Sequence, residues 1–183
     1  MNYKFNYLTL IFIVVFLVLS CDKKKSTEPE LSYEGITETI VDSLDEYSYI
    51  IINEDPDDWK LNFSPKPDFQ PYIYNKFGPK ISPAFPNPTN DSLKILFSIP
   101  VQTPVSFKII DKNNRFIKIL KEDTLEAGSY FLTWHLDDNS CKKVSADIYR
   151  CVYFWKKVVL CETQDCLSSM VVEASGHGDI KVE

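Results

Sequence analysis

The 183-residue chain is poor in glycine, histidine and methionine, with five, two and two of each, and these scarcities bound its chemistry. Five scattered glycines leave no Gly-rich loop of the kind whose backbone cradles a phosphate. His135 and His177 stand in separate contexts and offer little material for a catalytic triad or a zinc site. No C-x-x-C pair occurs among the five cysteines, so zinc-ligand spacing is missing too. Positive charge is outnumbered: 20 Lys and Arg against 26 Asp and Glu leave a net charge of −6. That balance argues against nucleic acid or anionic headgroups as electrostatic partners.

What is present starts with the one long apolar run. Leu8 to Leu19 are all apolar except Thr9, preceded by Lys4 and followed by Asp22-Lys23-Lys24-Lys25. Twelve residues suit a secretory signal, whereas a membrane-spanning helix needs roughly twenty. Val18-Leu19-Ser20-Cys21 resembles a bacterial lipobox. The resemblance implies cleavage before Cys21, diacylglyceryl transfer to its thiol and acylation of its new amino group. An uncleaved amino-terminal anchor with an incidental cysteine is the alternative. Membrane association is thus expected through the lipid on Cys21, since two or more acyl chains anchor durably at about 0.8 kcal/mol per buried methylene.

An exported chain meets an oxidising compartment, so the remaining Cys141, Cys151, Cys161 and Cys166 are disulfide candidates. Cys161 and Cys166 flank Glu162-Thr163-Gln164-Asp165, a tetrapeptide suited to a tight turn between apolar stretches. Paired strands would set those two face to face, which favours Cys161–Cys166 with Cys141–Cys151 as its complement. Free, partly buried thiols are the other reading.

Between Cys21 and about residue 80 the chain is a charged stalk followed by an aromatic stretch with prolines at 56, 65, 67, 71 and 79. Ile36 to Ile52 reads as a short helix or hairpin, with Tyr47 to Ile52 favouring a strand. This half is expected to wrap against the next domain. From Ile81 onward, Leu93, Ile95, Phe97 and Ile99 alternate with Lys94, Leu96 and Ser98, as on a strand with one buried face. Val105, Phe107 and Ile109 repeat the pattern, and Tyr130, Leu132 and Trp134 share a face. Ile148 to Leu160 is a long β-branched and aromatic run, and Cys166 to Ala174 can return beside it. Short strands split by polar turns indicate an antiparallel sandwich. Ser175-Gly176-His177-Gly178-Asp179 reads as a mobile loop before a short tail.

Ala84-Phe85-Pro86-Asn87-Pro88-Thr89-Asn90 resembles the Y-P-N-P-F-N opening of a domain group. The group includes the Ig-like domain of flagellar hook-capping proteins and the carboxy-terminal sorting domains of type IX secretion cargo. Ile95 to Pro100, Val105 to Asp111, Leu125 to Tyr130 with Trp134, and Asp147-Ile148-Tyr149 resemble the group's later landmarks in order. The resemblance implies an Ig-like fold over about 81–160; Cys141 stands where a turn glycine is common. By the residues themselves, Asn87 between two prolines is expected to make an extended, hydrogen-bond-poor lead-in to the first strand. Gly128 is expected to supply φ freedom, and Trp134 to plug the core.

Candidate chemistry is sparse. Asn53, Asp55 and Asp57 alternate like the start of a calcium loop, but Asp58 replaces its glycine and Ser64 its glutamate. Asp137-Asp138-Asn139 fits turn chemistry or an inter-sheet calcium. Trp59, Phe63, Phe69, Tyr72, Tyr74 and Phe77 could line a peptide or glycan groove, or pack onto the sandwich.

The expectation is an all-β chain: a lipoprotein signal peptide over 1–20 and a lipidated Cys21 with stalk and linker over 21–80. An Ig-like antiparallel β-sandwich follows over 81–175, with a tail over 176–183. The expected role is a membrane-anchored, non-enzymatic envelope module with a protein partner, outer membrane favoured. No catalytic residue, metal or cofactor and no nucleic acid partner is expected. The alternatives are a carrier of a type IX-like sorting domain, and an envelope glycan binder or hydrolase.

Overall fold

A computed structural model describes residues 35–69, 71, 78–162 and 166–183. The expected signal peptide, Cys21 and its stalk, and Tyr72, Tyr74 and Phe77 lie outside the described residues. Within them every regular element is a strand: β1 (Glu38–Asp42), β2 (Asp45–Asn53), β3 (Asn62–Ser64), β4 (Lys80–Ile81), β5 (Leu93–Ile99), β6 (Thr103–Asp111), β7 (Phe116–Leu125), β8 (Gly128–Trp134), β9 (Asp147–Cys161) and β10 (Ser169–Val182). They form antiparallel sheets ordered β3-β10-β9-β6-β7, β4-β5-β8 and β1-β2.

Period-two patterning builds the core. Leu93, Ile95, Phe97 and Ile99 of β5 are buried, as are Val105, Phe107 and Ile109 of β6 and Tyr149, Cys151, Tyr153 and Trp155 of β9. The two larger sheets meet through rings: Phe97 lies 4.6 Å from Phe107 and 6.1 Å from Trp155, centroid to centroid. Trp134 is fully buried, meets Tyr149 edge-on at 5.5 Å and donates its indole N–H to the Asp137 carbonyl at 2.9 Å. Burying each such ring contributes roughly 1.5–3 kcal/mol, so this layer supplies most of the cohesion.

Four expectations need correction. Residues 176–183 are not a tail, nor is 175–179 a loop: β10 pairs with β9 from Ser169 through Val182. The glycines there serve close approach. A Cβ on Gly178 would enter the Trp59 ring, and one on Gly176 would collide with the Lys60 carbonyl and the Tyr153 ring. The described part of residues 21–80 wraps against the sandwich as expected, but it does so partly as strands and not as an irregular linker. β3 pairs with β10, Trp59 donates its N–H to the His177 carbonyl at 2.7 Å, and Leu61, Phe63 and Phe69 pack on the core. Gly128 does not use its φ freedom, since no described glycine has positive φ; Cys141, at the turn-glycine place, does, at 61°.

The fourth correction concerns Asn87, which is saturated with hydrogen bonds. Its side-chain amide donates to the carbonyls of Thr37 (2.8 Å) and Asp179 (2.9 Å), and its Oδ1 accepts from the Lys181 N–H (2.9 Å). Its backbone exchanges both bonds with Thr39, at 3.0 and 2.8 Å. The peptide bonds on each side, Phe85–Pro86 and Asn87–Pro88, are cis. The flanking prolines have no N–H of their own, so the side chain becomes the main polar tie of the segment.

Asn87→Ala would leave two buried carbonyls and one part-buried N–H unpaired and should lower unfolding free energy by roughly 3 kcal/mol. Asn87→Asp turns an oxygen onto two carbonyls; its urea midpoint should fall at least as far at pH 7 and partly recover in acid, where the carboxyl can donate.

Candidate functional site

Where the amino-terminal segment meets β9 and β10, polar side chains converge on a cleft of about 470 Å³. Asp55, Asp57, Asp58 and Lys60 come from the stretch between β2 and β3; Arg150, His177 and Asp179 come from the sheet. Strand register produces the central pair, because Arg150 stands directly opposite Asp179. The guanidinium grips the carboxylate with two bonds, Nε to Oδ1 at 2.6 Å and Nη2 to Oδ2 at 2.8 Å, and both residues are buried.

Asp58 is the strut between the two halves. Its Oδ2 accepts the Thr37 N–H at 3.1 Å and its Oδ1 the Asp179 N–H at 2.9 Å. Burial pushes its carboxyl up from 3.8 to about 6, against the two backbone N–H bonds, with neighbouring Asp179 and Asp55 adding to the rise. His177 is half-buried and shifted down, first by burial and then by Arg150, which favours its neutral ring. The polar groups of the cleft are thus largely engaged with one another and with the backbone. The Tyr153 hydroxyl completes the set by donating to the Lys60 carbonyl at 2.8 Å.

The sequence candidates fall out as follows. Asn53, Asp55 and Asp57 line one open cleft beside Gly35 and Ile36, where Asp55 Oδ1 accepts the Asp57 N–H at 2.9 Å, an Asx turn. Asp138 Oδ1 accepts the N–H groups of Ser140 and Lys142, and Asp137 pairs with Lys118. Among the described residues, no group of three or more His, Cys, Asp or Glu side chains is placed to hold a metal ion. His135 is exposed on β8's continuation. Trp59 belongs to the core, and Phe63 and Phe69 are partly buried and pack against it.

Cys161 and Cys166 are bridged, with Cα atoms 4.9 Å apart. The complementary Cys141–Cys151 bridge does not form: Cys151 faces the core of β9, while Cys141 sits exposed in the turn after Asp138, and both thiols are free. Sequence spacing could not show this, because it depends on which face of β9 residue 151 occupies.

The sequence reading also passed over the β1–β2 hairpin as a surface. Ile40, Val41, Leu44, Ile50, Ile51 and Ile52 are all exposed on it, Leu44 by 92%. A signal was available: between Lys25 and Lys60 the chain holds eleven Asp and Glu and no Lys or Arg.

Two outcomes test this geometry. Burial pushes the Cys151 thiol far up, so a thiol alkylator should label Cys141 in the native protein and reach Cys151 only on unfolding. Mass mapping reads this directly. For Asp58 the folded pKa lies above the unfolded one, so its contribution is full below about pH 4 and is lost as pH rises through about 6. His177, shifted down, has the opposite sign and stabilises as pH rises through its own range below 6.5. The unfolding free energy of wild type minus Asp58→Asn should therefore shrink from pH 4 to pH 7, on top of a pH-independent offset from one lost N–H bond. Compared with family models, curated proteins and solved structures, the chain gives no match in any of the three.

Proposed function

We propose that this chain is a lipid-anchored bacterial envelope protein whose Ig-like domain acts as a non-enzymatic structural or protein-interaction module. The observation that carries the domain reading is strand order. β4-β5-β8 in one sheet and β10-β9-β6-β7 in the other correspond to the A-B-E and G-F-C-C′ division of an Ig-like sandwich. The motif around Asn87, which suggested that likeness, lies where the chain leads into β5. Support for a module that holds or binds comes from the cleft, whose charged groups act as struts between segments: Arg150 on Asp179, and Asp58 on two backbone amides. The anchor rests on the apolar run and the residues Val18 to Cys21.

Intact mass of the protein from native membranes tests the anchor and its processing. The expected species starts at acylated Cys21, ends at Glu183 and gains two hydrogens on reduction. A chain cut near residue 80 would instead make the sandwich a removable sorting signal and sink the module reading. Photo-crosslinking in cells from exposed Phe131, Phe154 and Leu44 tests interaction. Absence of any protein adduct at all three positions would count against a binding role.

A further inference from the structure

Strands at the rim of a sheet present unpaired N–H and C=O groups, and folded proteins blunt them with charge, proline, bulges or shortness. Three of the four rims of the two larger sheets follow that rule; the fourth, β8, is seven residues long with no charge or proline. β7 carries Lys118, Lys121, Glu122 and Asp123 and is irregular at two places in its pairing with β6. β3 is three residues long and runs into Pro65; β4 is two residues long between Pro79 and Pro83.

β2 breaks the rule. Its nine residues, Asp45–Asn53, contain no proline and no lysine and include three consecutive isoleucines. Among the described residues it pairs only with β1, and no described strand lies along its other edge. The ribbon is nevertheless held in place on the other side. Thr39 of β1 exchanges backbone bonds with Asn87 and donates its hydroxyl to the Ala84 carbonyl at 2.6 Å. Tyr49 stacks on buried Phe85 at 5.1 Å, and Tyr47 contacts Phe131 at 5.8 Å with Lys94 4.5 Å over its ring. An anchored strand with a free edge loses little freedom when another strand adds to it.

We infer that the open edge of β2 is a strand-addition site for an extended segment of a partner protein in which apolar and basic residues alternate. Backbone pairing would supply the register, and the isoleucines of β2 the apolar contact. Charge selects the occupant. The hairpin and its flanks lie within a stretch of eleven acidic and no basic residues, so a cationic segment is drawn to it and an acidic one repelled. A second copy would bring the same acidic stretch against itself, with a net charge of −6 on each chain. An anionic lipid surface is disfavoured for the same reason, since Asp42 and Asp45 flank Leu44 at the tip.

This site gives a location to the interaction role proposed above and rests on it. The test uses the full chain in detergent with fluorescent nine-residue peptides. One alternates Lys and Val, one alternates Glu and Val, and one repeats the Lys–Val sequence with alternate backbone nitrogens methylated. The Lys–Val peptide should bind, and binding should weaken as salt is raised. The Glu–Val and methylated peptides should bind at least about tenfold more weakly, the second because one edge of its backbone can no longer donate. Ile50→Lys with Ile52→Lys should weaken Lys–Val binding at least about tenfold, with the urea midpoint showing that the fold survives. Equal binding of the methylated peptide, no binding of any peptide, or a dimer of the full chain broken by the double variant would each overturn the inference. So would association with anionic vesicles through Leu44. Crosslinks in cells from Phe154 but not Leu44 would overturn this site while leaving the interaction role standing; none from any position would remove both.

Discussion

The described structure turns on the Asn87 side chain. One amide joins three stretches far apart in sequence: Thr37 ahead of β1, Asp179 and Lys181 in β10, and its own segment leading into β5. Two of these contacts reach across more than ninety residues, so they form only once the sheet is assembled. A buried amide with all its bonds satisfied favours one register over its neighbours, because a slip would strand each partner in an apolar setting.

Around that tie the amino-terminal segment becomes part of the sheet architecture. Asp58 bonds the Thr37 and Asp179 amides, Trp59 lies across Gly178, and Leu61 and Phe63 continue inward along the edge of β10. The ion pair of Arg150 and Asp179 sits under this cover, where loss of either partner would leave a buried charge. The charged groups of the cleft thus join distant segments of the fold. The β1–β2 ribbon is held on one side through Thr39, and among the described residues no strand pairs with its other side.

Much of the strand pattern was legible in the sequence. Leu93 to Ile99 and Val105 to Ile109 are buried on the face their alternation indicated, and Trp134 occupies the core. The turn-like composition of Glu162-Thr163-Gln164-Asp165 pointed to the pairing of Cys161 with Cys166. The errors share a cause: each depended on what lies across from a residue. Gly176-His177-Gly178 has the composition of a loop, yet its glycines are there because Trp59 and Tyr153 need the space above the strand. Asn87 between prolines has few local bonding options, and its partners come from distant strands. Cys151 could bridge Cys141 by spacing alone, but its place in β9 turns it into the core.

By itself the sequence determined the periodicity of the strands, the positions of the tight turns and the excess of acidic charge before β3. Those properties are local, set by side-chain alternation, turn residues and composition. Only the tertiary structure decided that residues 57–64 edge β10, that residues 176–182 complete it, and that Arg150, Asp179 and Asp58 share one buried site. It alone also decided that one side of β2 is anchored and that no described strand lies along the other. Pairing between distant segments is chosen by complementary packing and by satisfying buried polar groups, and no local stretch of sequence carries its partner's position.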